Sequence, residues 1–132
     1  MEQSVEVSEL ANEFLKLLRE GDKVRIARLI ANGPPTLLIG TAPTDWYEGS
    51  DATLTHLQEA IDAYGGVTLV LRSIQAWSEG ACGWFAGHVS AVFPSINIPL
   101  RLTGVAVSID DGWQIAQLHL SAAVTDEGLL GG

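Results

Sequence analysis

The sequence contains little cysteine, few basic residues and no long apolar run, and each shortage excludes a class of protein. One cysteine, Cys82, stands among the 132 residues, so an internal disulfide bond is excluded. No group of cysteines and histidines has the spacing of a zinc site, and we expect neither a metal nor a cofactor. No apolar run approaches the length that spans a membrane, so we expect no membrane insertion.

Basic residues are scarce relative to acidic ones. Lys and Arg number 7 against 16 Asp and Glu, which gives a formal net charge of −9 at pH 7. Proteins that bind nucleic acid hold the phosphates with clustered Lys and Arg, whereas here these residues are scattered. Nucleic acid and anionic membrane surfaces are therefore not expected as partners. Residues 1–6 lack the basic and apolar regions of a signal peptide, so we expect a cytoplasmic location.

Apolar residues are abundant, at 47% of the chain, while charged residues make up 17%. This surplus exceeds what a small core needs, and a ligand cavity or an oligomer interface would absorb it. The length fits one domain over residues 1–132. Residues 126–132 are rich in glycine and are predicted to form a flexible tail.

The apolar pattern changes along the chain from helical to strand-like spacing. Helices are predicted from residue 4 to 19, from Asp22 to the Gly-Pro-Pro at residues 33–35, and from residue 50 to 64. A short buried strand is predicted at residues 36–39, and longer strands at 67–77, 81–93, 98–109 and 113–121. Helices followed by a run of hairpins indicate an α+β domain with helices on one face of an antiparallel sheet.

Alternation within the strands separates an apolar face from a mixed face. Pairing of Phe93 with Ile98 places apolar residues on the side of the helices, namely Phe85, Gly87, Val89, Leu100, Leu102, Gly104 and Ala106. The opposite, outer face then carries polar and aromatic residues, namely Trp84, His88, Ser90, Arg101, Thr103 and Val105. We predict that Trp84, His88 and Arg101 contribute to a subunit interface.

The last strand carries the side chains most suited to chemistry. Regular alternation places five of them on one face, namely Trp113, Ile115, Gln117, His119 and Ser121. A two-residue turn at Asp111-Gly112 pairs Asp110 with Trp113 and puts His119 opposite Gly104, on the helix side. The glycines there would leave room in front of His119 or let the sheet bend. A three-residue turn that includes Asp110 instead puts His119 beside Thr103 on the outer face; the first arrangement is favoured.

Two segments carry a family resemblance. They are Gly-Thr-Ala-Pro-Thr-Asp-Trp-Tyr-Glu-Gly at residues 40–49 and Gly-Trp-Gln-Ile-Ala-Gln-Leu-His-Leu-Ser at residues 112–121. Together with the order of elements, they resemble the SnoaL-like group of the nuclear transport factor 2-like superfamily over nearly the whole chain. The resemblance implies a cone-shaped domain in which a curved sheet wraps around three helices. It also implies a pocket inside the cone and a homodimer formed through the outer sheet face.

The family includes ketosteroid isomerases, polyketide cyclases, epoxide hydrolases, scytalone dehydratase and non-catalytic association modules, so the fold does not fix the function. Ketosteroid isomerases carry one catalytic aspartate on the first strand and another on the strand before the last turn. The matching stretches here, residues 38–41 and 103–106, contain no acid. An isomerase of that type is therefore not expected.

Two functions remain open. In the first, the domain binds a small, largely apolar molecule and acts as a cofactor-free isomerase, cyclase or hydro-lyase. His119 is then the acid or base, Asp45 orients it, and the ligand contacts are Trp46, Tyr47, Trp113 and Gln117. In the second, the domain is a non-catalytic ligand-binding or dimeric association module. His119 is then a structural histidine, and Asp45 only caps a turn.

Overall fold

The computed structural model describes residues 1–131, which form one sheet and four helices. The helices are α1 (Val5–Glu20), α2 (Lys23–Leu29), α3 (Ser50–Tyr64) and α4 (Asp126–Gly131). The strands are β1 (Glu2–Gln3), β2 (Leu37–Ile39), β3 (Trp46–Glu48), β4 (Leu69–Glu79), β5 (Cys82–Val92), β6 (Asn97–Ile109) and β7 (Gly112–Ala122). The predicted α+β class is confirmed. Of the predicted tail, residues 126–131 form the exposed helix α4, which was not predicted, and Gly132 lies outside the described residues.

The long helices begin and end where the sequence predicts. Ser4 caps α1, because its side-chain oxygen accepts a hydrogen bond from the Val7 amide at 3.1 Å. Gly21 ends α1 in the left-handed conformation, with φ of 72°, which glycine adopts without strain. Asp22 caps α2 by accepting from the Arg25 amide at 3.0 Å, and Gly65 ends α3. The predicted end of α2 is wrong, because Ile30 is already extended and the helix ends at Leu29, before Gly33.

The sheet contains seven strands in the order β1-β4-β5-β6-β7-β2-β3. The four long strands form an antiparallel meander, and β2 pairs with β7 in parallel. The short strand β3 was not predicted and extends the sheet by pairing with β2. His88, Arg101 and His119 are therefore carried by neighbouring strands of one continuous sheet.

The core lies between the helices and one face of this sheet. α1 supplies its buried stripe, and β5 and β6 supply Phe85, Val89, Leu100, Leu102 and Ala106. The predicted apolar face of these two strands is thus confirmed, although the register differs. Val92 pairs with Asn97, and Phe93 lies in the connecting turn instead of pairing with Ile98. The shift is by two residues, so each side chain keeps its face.

Two local features of β6 and β7 correct the predicted register. The turn between them is Asp110-Asp111, because Ile109 pairs with Gly112, and both aspartates have positive φ, at 51° and 63°. Further along, a bulge at Ala116 interrupts the pairing: Ala106 pairs with Ile115, but Val105 pairs with Gln117. The predicted pairing of Asp110 with Trp113 is therefore wrong.

Candidate functional site

The bulge at Ala116 decides where His119 lies. Before the bulge, Trp113 and Ile115 pack toward the core, and Ile115 is 1% exposed. After it, Leu118 and Leu120 pack toward the core, so His119 between them lies on the outer face. His119 pairs with Thr103 and not with Gly104. The favoured placement on the helix side is thus wrong, and the five residues of β7 do not share one face.

Asp45 organises the loop between β2 and β3. One carboxylate oxygen, Oδ2, accepts a hydrogen bond from the Ala42 amide at 3.0 Å. The other, Oδ1, accepts from the Tyr47 hydroxyl at 3.1 Å. Both bonds are local, as expected of an aspartate that closes a turn. Asp45 therefore has a sufficient structural explanation, and its hydrogen-bond partners do not include His119.

Tyr47 links this loop to α3. Its ring packs against the core and stacks on His56, with ring centroids 4.2 Å apart and planes 16° from parallel. Partial burial raises the pKa of the Tyr47 hydroxyl above its ordinary value of 10.0, and the hydrogen bond and charge of Asp45 and the charge of Glu59 raise it further. The hydroxyl thus stays protonated and serves as a hydrogen-bond donor at neutral pH.

Sequence reasoning did not single out His56. The signal that could have found it is helical spacing, because His56 follows Thr53 by three residues and so lies on the same side of α3. Thr53 donates its hydroxyl hydrogen to the Tyr47 carbonyl at 3.5 Å, which marks the side of α3 that approaches β3. Finding this contact required β3, which the sequence did not reveal.

The four residues expected to contact a ligand do not converge. Trp46 is 57% exposed and donates its indole N–H to Glu48 at 3.0 Å. Tyr47 lies against the core, while Trp113 lines a groove with Leu10 and Leu29 between α1 and α2. Gln117 pairs with Val105 in the sheet. The structure therefore does not assemble the predicted pocket from these side chains.

The space inside the sheet is filled near Gly104. A β-carbon added to Gly104 would clash with Cζ of Phe85 and approach its Cε1 and Cε2 atoms to 2.6 and 2.7 Å. Phe85 is 1% exposed. Over residues 1–131, every buried side-chain nitrogen and oxygen has a hydrogen-bond partner. The missing side chain at Gly104 therefore makes room for a phenylalanine and not for a ligand.

An apolar cavity does exist at one end of the domain, where α3 ends and β5 ends. Its volume is about 360 Å³, and its lining consists of Tyr64, Gly66, Val67, Thr68, Ala91, Val92, Phe93 and Pro94. Tyr64 and Phe93 meet edge to face, with ring centroids 6.4 Å apart and planes at 71°. This lining contains one titratable side chain, the Tyr64 phenol, and no carboxylate or imidazole.

The outer face brings together the residues predicted for an interface. His88 pairs with Arg101, and Trp84 pairs with both Trp77 and Val105. No helix covers this face in the part of the chain that the structure describes: His88 and Arg101 are exposed, and Trp84 is half-buried. A depression of about 300 Å³ lies among the polar residues of this face.

Two further findings concern metal ligands and helix length. Within residues 1–131, no group of three or more His, Cys, Asp and Glu side chains is arranged to hold a metal ion. Of the helices described, none has the length and apolar character needed to cross a membrane.

A family model matches most of the chain, and solved structures share its fold. The family model for the SnoaL-like domain matches residues 7–125. A nuclear transport factor 2-like protein of unknown function from Pseudomonas putida KT2440 aligns with a TM-score of 0.81 and 17% identity, over 92% of this chain and 87% of that chain. A protein provisionally named a dehydratase of the same family, from Streptomyces avermitilis, aligns with a TM-score of 0.81 and 13% identity, over 91% and 95%. Comparison with curated protein sequences gives no match.

Proposed function

Because the chain belongs to the family of SnoaL-like domains, we propose that it binds a small, largely apolar organic molecule in the cavity between α3 and β5. The observation that carries this proposal is the cavity itself, which is already open and lies next to the core. Its volume of about 360 Å³ falls at the lower end of the range for small-molecule sites. A ligand there would bury its apolar surface against Val67, Ala91 and the Tyr64–Phe93 pair.

The polar groups of the lining would orient such a ligand. The Thr68 hydroxyl and the Tyr64 phenol each offer a donor and an acceptor, and the other side chains offer apolar surface. A few polar groups among apolar walls are the usual composition of a specific small-molecule site. We therefore expect an uncharged ligand with one or two oxygen or nitrogen atoms.

We propose binding without catalysis at this cavity. General acid–base catalysis needs a titratable group within hydrogen-bond reach of the reacting atom. The cavity lining has no carboxylate or imidazole. Asp45 is occupied by Ala42 and Tyr47, and His119 lies on the outer face, so these two residues do not support the enzymatic alternative.

The experiment is a fluorescence titration with a neutral apolar probe, 1-N-phenylnaphthylamine. Ala91 is 7% exposed at the cavity wall, so Ala91→Leu should fill the cavity, and Val92→Trp should obstruct its rim. Each variant should weaken saturable probe binding about tenfold or more. Ala123→Leu, at an exposed position outside the lining, is the matched control and should bind as the wild type does.

The Val92→Trp variant should fold even if Ala91→Leu does not. Val92 is 38% exposed, and a larger side chain is tolerated better at an exposed position than in the core. Equal affinity in the wild type and in a folded Val92→Trp variant would overturn the proposed site. The absence of saturable binding to the wild type would overturn it as well.

We propose that a second copy of the chain covers the apolar part of the outer face, as the sequence predicts for a homodimer. This part consists of Trp77, Trp84, Val105 and Val107, which lie close together in the register of β4, β5 and β6. Aromatic side chains are enriched at the centres of such interfaces. Sedimentation velocity should show a dimer that Trp84→Glu dissociates; a wild-type monomer at micromolar concentration would contradict the proposal.

A further inference from the structure

We propose that the outer face of the sheet carries a binding site for a small anion, with a carboxylate or phosphate group held between His88 and Arg101. The site is the depression of about 300 Å³ on this face. The polar side chains of its lining are Ser73, Gln75, His88, Arg101 and Thr103. It is distinct from the apolar cavity at the end of α3 and does not depend on the function proposed there. It adjoins the Trp77–Trp84 part of the same face, so an anion bound here would lie at the edge of the proposed dimer interface.

The register of four strands builds this site. Ser73, His88, Arg101 and Ser121 form one row of paired residues across β4, β5, β6 and β7. The next row on the same face is Gln75, Ala86, Thr103 and His119. Paired side chains in neighbouring strands lie about 5 Å apart, so the donors surround the small side chain of Ala86. Ala86 therefore leaves the space that the anion would occupy.

Hydrogen bonds to serines hold the two basic side chains in place. Arg101 donates from Nε to the Ser121 Oγ at 3.2 Å, and the His88 Nδ1 lies 3.0 Å from the Ser73 Oγ. Among the hydrogen bonds of residues 1–131, none uses the terminal nitrogens of Arg101 or the Nε2 of His88. The planar end of an arginine matches a carboxylate or phosphate with two parallel hydrogen bonds. The expected contacts of the ligand are therefore the terminal nitrogens of Arg101 and the Nε2 of His88, which is a donor in the tautomer whose Nδ1 accepts from the Ser73 hydroxyl.

The charge distribution favours an anion at this place. The chain has a net charge of −9, yet residues 80–109 contain no Asp or Glu. Within the described chain, the ion pairs involve other residues, and neither Arg72 nor Arg101 has a carboxylate within 4.0 Å. The nearest acid along β4, Glu79, is six residues from Ser73, or about 20 Å at the rise of a strand. An arginine without a counterion creates a locally positive potential, which attracts a small anion even in an acidic protein.

The test is a titration of the ¹⁵N-labelled protein with sodium phosphate and, separately, with sodium acetate, each at constant pH and ionic strength. We expect saturable shifts of the amide signals of residues 73, 88, 101 and 103. Arg101→Gln and His88→Gln should each weaken binding about tenfold or more, since each removes a charged or directional hydrogen bond. Arg28→Gln, at an exposed arginine of α2, is the matched control and should bind as the wild type does. The stronger of the two probes identifies the preferred anion.

Two outcomes would overturn the proposal. One is the absence of saturable shifts with both probes. The other is an equal loss in Arg28→Gln, which would reveal a general effect of charge. Sedimentation of each variant shows whether a change in subunit association accompanies the loss of binding.

Discussion

The contact between Gly104 and Phe85 gives the sharpest test of how the interior is packed. Alanine at position 104 would place a β-carbon 2.6 Å from Cε1 and 2.7 Å from Cε2 of Phe85 and in collision with Cζ. Phe85 is 1% exposed and lies in the core, so its ring has no open space into which it could move. The substitution Gly104→Ala should therefore destabilise the fold.

The expected loss follows from two opposing effects. Overpacking of a core site costs about 1–3 kcal/mol, and three simultaneous close contacts place Gly104→Ala near the upper end. Alanine also restricts the unfolded chain more than glycine does, which raises the free energy of unfolding by about 0.5–1 kcal/mol in a strand interior. The free energy of unfolding should therefore fall by about 2 kcal/mol. Urea unfolding followed by tryptophan fluorescence measures it directly.

A double-mutant cycle isolates the cause of this loss. Leucine lacks the Cζ, Cε1 and Cε2 atoms, so Phe85→Leu removes the three atoms that the new β-carbon would approach most closely. In that background, Gly104→Ala should be neutral or stabilising, with a coupling energy of about 2 kcal/mol. The same loss in both backgrounds, with a coupling energy below about 0.5 kcal/mol, would refute the argument that Phe85 fills the space left by Gly104.

Four other substitutions test three further features of the fold. Ser4→Ala removes the cap of α1 and should lower the free energy of unfolding by about 1 kcal/mol, measured by urea unfolding. Asp111→Gly relieves the strain of a positive φ of 63°, so the free energy of unfolding should rise by about 0.5–1 kcal/mol and the urea midpoint should rise with it. A lower midpoint would contradict the turn geometry. Because the folded state raises the pKa of Tyr47, the unfolded chain releases this proton first, and stability should fall as the pH rises above 10.0 through the folded pKa. Tyr47→Phe should reduce that fall, and Asp45→Asn should lower the tyrosinate absorbance midpoint.

The sequence predicts α1, α3, the long strands and the two faces of β5 and β6 correctly, because buried and exposed residues alternate clearly there. The early end of α2 and the short helix α4 were not predicted. Leu100, Leu102 and Gly104 face the core, and Arg101 and Thr103 do not, whichever even shift the hairpin adopts. The short strand β3 escaped prediction because three residues at a sheet edge show too little alternation. A strand is predicted correctly where the alternation of buried and exposed residues is long, and it is missed where the alternation is short.

The place of His119 could not be predicted, because the bulge at Ala116 exchanges the core-facing and outer sides of β7 for the residues that follow it. Ala116 is an ordinary small residue, and nothing in its neighbours marks it as a bulge. Every side chain after it changes sides relative to regular alternation, including Gln117 and His119. A prediction that pairs His119 with Asp45 therefore depends on a register that only the tertiary pairing of β6 with β7 determines.

Energetics favour a ligand at the end cavity over a ligand at the centre of the sheet. To enter beside Gly104, a ligand would have to displace the Phe85 ring, and losing the packing of a buried phenylalanine costs about 3–5 kcal/mol. That penalty alone weakens a dissociation constant by more than about a hundredfold. The cavity between α3 and β5 carries no such penalty, because its volume of about 360 Å³ is already open. An apolar molecule bound with measurable affinity should therefore shift the signals of residues 64–68 and 91–94 before those near Gly104.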